Sequence, residues 1–197
     1  MVITSIKSGK RNNIWIYADN EFLTSMPLEV FAKSRLKVGS YIDNQLLNDI
    51  LNNVQEHKIK EKALNIISYR PRTKKELKDK MKDKFNEDSI DSVIDRMEES
   101  GLLNDEEYAK NYAYHLYQNK GYAVKRIRYE LTHKGIDSEI ISNVLENEEF
   151  DEESNLEKII EKKNMRNIQD DKEKRRVLSY LQRLGYSWDK INSVLRS

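Results

Sequence analysis

Cysteine is absent from this 197-residue sequence, proline occurs twice and glycine six times. Without cysteine there can be no disulfide framework and no thiolate-bound zinc or iron–sulfur cluster, and the composition suits a reducing compartment. With so few prolines, long helices meet few breakers. No apolar run approaches the ~20 residues that span a bilayer. The stretch Met1–Lys7 lacks the apolar core of a signal peptide. The expectation is a cytoplasmic protein that does not engage a membrane. Histidine is also scarce. His57, His115 and His133 lie in separate predicted helices, without the i, i+4 partner that makes a metal-binding face. No phosphate-cradling glycine loop, nucleophile elbow or dinucleotide fingerprint occurs. We therefore expect no enzyme activity, no metal and no cofactor, and a hydrolase is a remote reading.

Charge is abundant but balanced, with a net of +1. That balance hides blocks of one sign. Lys58–Lys84 carries 11 basic residues against 4 acidic, and Glu87–Glu107 carries 9 acidic against 1 basic. Lys120–Lys134 returns to 5 basic against 1 acidic. Glu146–Glu157 has 7 acidic and none basic, and Lys162–Arg183 has 8 basic against 3 acidic. Such blocks can face a polyanion, or pair with one another across neighbouring helices.

Residues 2–26 read as β structure. Ile14-Trp15-Ile16-Tyr17 favours a strand, Asp19-Asn20 a turn and Phe22-Leu23-Thr24 a returning strand. A small antiparallel three-stranded meander is predicted, followed by a short helix, Leu28–Ser34, entered through Pro27. From Asp43 the period is helical. It weakens at Glu56-His57-Lys58, so residues 43–69 form either one long helix or two joined end to end. Pro71 then stops it.

Beyond Pro71 the chain repeats itself. With Leu77, Leu131 and Leu181 taken as equivalent, Ile141, Val144 and Leu145 match Ile191, Val194 and Leu195 at the same offsets. In this register the first unit has about three extra residues between its helices. Gly135 and Gly185 each follow the leucine by four, as helix C-caps. Thr73 to Glu76 forms a capping box, and Asn104 or Asp105 caps the next unit. The predicted fold is mainly α: tandem three-helix, helix-turn-helix-like repeats behind the β-meander. The expected divisions are 1–45 for the β-containing extension, 46–59 for a connecting helix, and 60–102, 103–149 and 150–197 for the repeats. Neighbouring repeats are expected to pack loosely, end to end.

Cations recur where each middle helix begins. The first cluster is Arg70, Arg72, Lys74 and Lys75, the second Lys125, Arg126 and Arg128, and the third Arg175 and Arg176, with Lys172 and Lys174 beside them. A solvated face has no reason to repeat this placement, whereas a surface for a polymeric or filamentous partner does. The tyrosines Tyr108, Tyr112, Tyr114, Tyr117, Tyr122 and Tyr129 offer rings on which bases can stack, but the preferred reading is that they pack the core or rim of their bundle. Trp188 is expected to anchor the last helix and Trp15 to pin the sheet.

Several of these segments resemble the RecX regulatory proteins. Ala63-Leu64, Ser68-Tyr69-Arg70-Pro71-Arg72-Thr73 and Glu76-Leu77 resemble the family's opening signature. Ser100-Gly101-Leu102-Leu103-Asn104-Asp105-Glu106-Glu107-Tyr108-Ala109 resembles its turn into the second repeat. Lys125-Arg126-Ile127, Glu130-Leu131 and Lys134-Gly135-Ile136 resemble its second middle helix. Asn104 stands where the family usually has aspartate, and Thr73 where serine is common. The N-terminal sheet resembles that of Firmicute-type members. The resemblance implies a monomeric regulator that binds filaments of the RecA recombinase on DNA. Such a regulator would inhibit their ATP hydrolysis, strand exchange and co-protease activity, in DNA repair, recombination and the SOS response. It would bind single- and double-stranded DNA weakly. The basic clusters above are the residues expected to meet filament or DNA. Two other readings of the repeats are a helix-turn-helix transcription regulator and a protein–protein adaptor.

Overall fold

In the computed structural model, residues 1–10, 12–166, 168 and 170–196 are described. The chain divides into two compact units, one formed by Met1–Arg70 with Leu77–Ser100, the other by Pro71–Glu76 with Gly101–Ser197.

The first unit opens with strands β1 (Ile3–Ser8), β2 (Asn13–Ala18) and β3 (Glu21–Pro27), antiparallel and in the order β1-β2-β3. Asp19 and Asn20 both take positive φ, 48° and 68°, as the two-residue hairpin turn requires. The segment after Gly39 returns to the free side of β1, where the Ile3 amide donates to the Ser40 carbonyl and the Ile42 amide to the Met1 carbonyl. Ile3, Ile14, Ile16 and Met26 turn one face of the sheet into a core shared with Ile42, Ile50 and Val54. Helix α1 spans Leu28–Ser34.

Helix α2 is continuous from Asn44 to Tyr69, capped by Asp43, whose carboxylate accepts from the Leu46 amide at 2.8 Å. Its buried residues are Ile50, Val54, Ile59 and Ala63. At ~100° per residue, Ile59 and Ala63 lie about 180° around the helix from Ile50 and Val54. The helix therefore buries opposite faces in its two halves, and the apparent break at Glu56-His57-Lys58 is the crossover between them. Helix α4 (Glu87–Glu99) packs on α2, burying Ile90, Val93, Ile94 and Met97. Helix α3 (Lys74–Met81) contributes Leu77 and Met81 to the buried set.

The second unit holds two three-helix bundles. Helices α5 (Asp105–Lys120), α6 (Val124–His133) and α7 (Ser138–Asn147) enclose Ala109, Ala113, Ile127, Leu131, Ile141 and Val144. Helices α8 (Glu152–Lys162), α9 (Asp171–Arg183) and α10 (Trp188–Arg196) enclose Leu156, Ile160, Leu181, Tyr186, Ile191 and Val194. Met81, Leu131 and Leu181, each fully buried, stand 50 residues apart, and α3 and α6 likewise begin 50 residues apart. Met81 rather than Leu77 is thus the counterpart of Leu131. In this register nine residues separate Met81 from Ile90, and ten separate Leu131 from Ile141. The three extra residues expected in the first repeat are an artefact of matching leucine to leucine.

The two bundles are not loosely stacked. The Ala123 amide donates to the Leu184 carbonyl at 2.9 Å. The Tyr117 hydroxyl donates to the Asp151 carbonyl at 2.8 Å. Ala123 itself, 1% exposed, belongs to the core of the third bundle.

Candidate functional site

The starts of the middle helices α3 and α6 are built by residues from elsewhere in the chain, whereas α9 is capped by its own Asp170, which accepts from the Glu173 amide at 2.9 Å. In α3 the Thr73 hydroxyl accepts from the Glu76 amide at 3.1 Å and donates to the Lys134 carbonyl at 2.7 Å. The Lys74 amide donates to the carboxylate of Asp105, the buried first residue of α5, at 3.0 Å. Asn104 takes the capping role for α5, accepting from the Glu107 amide at 2.9 Å. In α6 the geometry recurs. Val124, the first residue, donates its amide to Glu152, the first residue of α8, at 2.7 Å. Glu152 also pairs with Lys190.

A glycine completes each joint. A side chain at Gly135, φ 76°, would strike the stem of Lys75. One at Gly185, φ 101°, would come within 2.9 Å of the Arg126 backbone nitrogen. Asp105 and Glu152 were not singled out from sequence as joint residues. The available signal is that each opens the first helix of its bundle with an acid.

Against this frame the expected basic residues separate into groups. Arg70 is exposed on extended backbone just past α2. Arg72 is half-buried, its guanidinium 3.9 Å from the Glu76 carboxylate. Glu76 also holds Lys134 at 2.7 Å, and this hydrogen bond raises the Lys134 pKa. Lys75 is exposed, and its Cβ, Cγ and Cδ lie against Gly135.

Lys125 is exposed. Arg126 lies over the rings of Tyr122 and Tyr129, at 5.5 and 4.9 Å, and pairs with Glu130 at 2.6 Å. Arg128 donates to the Ser142 hydroxyl of α7 at 3.2 Å.

Arg175 and Arg176 are exposed on α9, where Arg175 Nε donates to the Asp171 carbonyl at 3.2 Å. They share a shallow depression with Lys172 and Arg183. Arg183 also lines a groove of about 550 Å³ with Lys125, Arg126, Tyr129 and Trp188. The second and third clusters are therefore joined into one cationic band through Arg183, a residue the sequence reading did not select. No acidic residue lines either the groove or the depression among the described residues.

The aromatic residues divide as well. Tyr108, Tyr112, Tyr117 and Tyr122 pack against the core of the α5–α7 bundle, as expected. Tyr129 is 50% exposed, with the His133 ring stacked on it at 4.0 Å. Trp188, expected to anchor α10, is instead 51% exposed at the groove. The anchoring place is filled by Tyr186, 3% exposed, whose burial pushes its phenol pKa well up. Trp15 is partly exposed and its indole lies against Gly9.

His57 faces Glu61 at 3.7 Å and lines a cavity of about 360 Å³ in the first unit, floored by Met26, Ile50 and Met97. Among the described residues, no three potential ligands converge on a metal position. No helix among them is long and apolar enough to cross a membrane.

Comparison with known proteins agrees with this architecture. Family models match three stretches: "RecX, first three-helix domain" at 60–97, the second three-helix domain at 104–145 and the third at 151–195. The regulatory protein RecX of Clostridium perfringens is 32% identical over 202 residues, covering 98% of this chain and 94% of its own. That of Clostridioides difficile is 30% identical, with the same coverage. The crystal structure of RecX from Lactobacillus salivarius superposes with a TM-score of 0.63 at 26% identity, over 72% of this chain and 95% of its own. A second crystal structure of a regulatory protein RecX reaches a TM-score of 0.79 at 22% identity, over 100% of this chain and 99% of its own.

Proposed function

Because the chain belongs to the RecX family of regulatory proteins, we propose that it binds filaments of the RecA recombinase on DNA and inhibits them. It acts as a monomer, inside the cell, by occupying the filament with its tandem repeats, and no covalent step is involved. The observation that carries this reading is the basic cluster at the start of every middle helix, with Arg183 joining the second to the third. A filament presents its partner with a periodic surface of acidic protein and bound phosphate, and cations that recur from repeat to repeat suit that periodicity. Arg70, Arg72, Lys74, Lys75, Lys125, Arg126, Arg128, Arg175 and Arg176 are the proposed contacts. Among them Lys125, Arg175 and Arg176 are exposed and lie on the joined band, so they are the most direct to test. Weak binding to free single- and double-stranded DNA accompanies the filament interaction through the same charges.

The test is recombinase ATP hydrolysis on single-stranded DNA, titrated with this protein and with a Lys125→Glu/Arg175→Glu/Arg176→Glu variant. Inhibition at less than one copy per recombinase protomer, lost in the folded variant, supports the proposal. No inhibition and no retention on recombinase–DNA filaments would overturn it. A sequence-specific footprint on duplex DNA would favour the helix-turn-helix regulator instead.

A further inference from the structure

We propose that the groove between α6, the end of α9 and the start of α10 is a seat for single-stranded nucleic acid. An unpaired base stacks on Trp188 beside Tyr129, and the phosphates run from Lys125 across Arg183 towards Arg175 and Arg176. This deepens the filament reading, on which it rests for its biological setting, by assigning this groove to the DNA component of the filament.

The groove leaves two large aromatic rings, Trp188 and Tyr129, half-bare. Leaving that apolar surface in water carries a free-energy cost. The rings are flanked by Lys125, Arg126 and Arg183, without a carboxylate among the described lining residues. Arg126 is held in place by Tyr122, Tyr129 and Glu130, which makes it a positioned cation rather than a waving one. The volume, about 550 Å³, is that of a site for a compact flat group.

The partner must therefore carry repeated negative charge and also offer flat apolar faces. Single-stranded nucleic acid does both, because every base has a face free to stack and every linkage carries a phosphate. A duplex hides its base faces. An acidic peptide satisfies the cations and leaves the rings bare. The shallow depression of Lys172, Arg175 and Arg176 continues from Arg183, which gives the backbone a track on leaving the groove.

Trp188 can report on its own occupancy, since Trp15 is the only other tryptophan. In a Trp15→Phe chain, titration with a thymidine oligonucleotide of roughly 15 nucleotides should quench Trp188 emission saturably. Duplex of equal length and inorganic polyphosphate should not quench it. In the full chain, anisotropy of the labelled oligonucleotide should show Trp188→Ala binding roughly 5- to 150-fold more weakly, with Trp188→Phe recovering most of the loss.

Unmoved Trp188 emission, unchanged affinity in Trp188→Ala, or equal quenching by polyphosphate or an acidic peptide would each overturn the assignment. The recombinase assay separates the two proposals. Inhibition that depends on Arg175 and Arg176 with a silent Trp188 would leave the filament reading standing and remove this one. Oligonucleotide stacking without any effect on recombinase would do the reverse.

Discussion

Helix α6 begins Ala123-Val124-Lys125, with no side chain at its start that can cap it, and its first free amide is accepted by Glu152, 28 residues further on. Glu152 is mostly buried and also pairs with Lys190. Glu152→Ala should therefore cost about 1–3 kcal/mol, because a part-buried amide loses its acceptor, and Glu152→Gln should recover part of that. Urea unfolding of the three chains measures this directly. Gly185→Ala and Gly135→Ala should each destabilise as well, by about 1–3 kcal/mol. At Gly185 the new carbon meets the Arg126 Cβ and backbone nitrogen, and at Gly135 it meets the Lys75 Cβ, atoms that no side-chain rotation can move aside. Differential scanning calorimetry should show both variants melting below the parent chain.

Lys134 supplies a pH signature. Its pKa is raised in the fold, chiefly by its hydrogen bond to Glu76. The stabilisation is complete below the unfolded value of 10.5 and falls away as pH climbs through the raised one. Lys134→Met should lower the urea midpoint at neutral pH, and the gap to the parent should narrow in strong alkali. A gap that stays constant with pH would show that the ion pair contributes nothing.

At the scale of the element, α2 explains why its sequence could be read as either one helix or two. Its apolar stripe crosses from one face to the other near Glu56-His57-Lys58, so the periodic signal cancels over the full length although the backbone never leaves the helix. Hydrogen exchange should find the amides of residues 56–58 as slow as their helical neighbours. Fast exchange confined to those three would mean a joint between two helices.

Local signals made the meander, the Pro71 stop, a cap at Asn104 or Asp105 and the glycines after α6 and α9 legible in advance, because turn and cap chemistry depends on residues a few positions apart. The acceptor for α6 was not legible, because it sits in another bundle. Trp188 was misread for a related reason. At the first position of α10 only the tertiary arrangement decides whether a ring faces the core, and Tyr186 had already taken that place. The basic clusters could be found from the sequence, but the union of the second and third through Arg183 needs the end of α9 to share a groove with α6.

At the scale of the whole molecule, charge that nearly cancels in sum is sorted into bands along the sequence, and the proposed function makes those bands the contact surface. Inhibition of recombinase should weaken steeply as salt rises. The Arg175→Glu/Arg176→Glu chain should show a shallower salt slope, by roughly one unit for each phosphate contact removed. ATPase titrations across a salt series would measure that slope, and identical slopes in the two chains would exclude α9 from the interface.

The acids that open α5 and α8 also bear on how such an array can be assembled. Each serves a helix that precedes its own bundle: Asp105 holds the first amide of α3, and Glu152 that of α6. A bundle cut at its loops and moved elsewhere would leave behind the acceptor its middle helix needs, and would carry away one belonging to its neighbour. The unit that can be duplicated or exchanged intact runs from one middle helix through the first helix of the next bundle, so its natural seams fall inside the bundles.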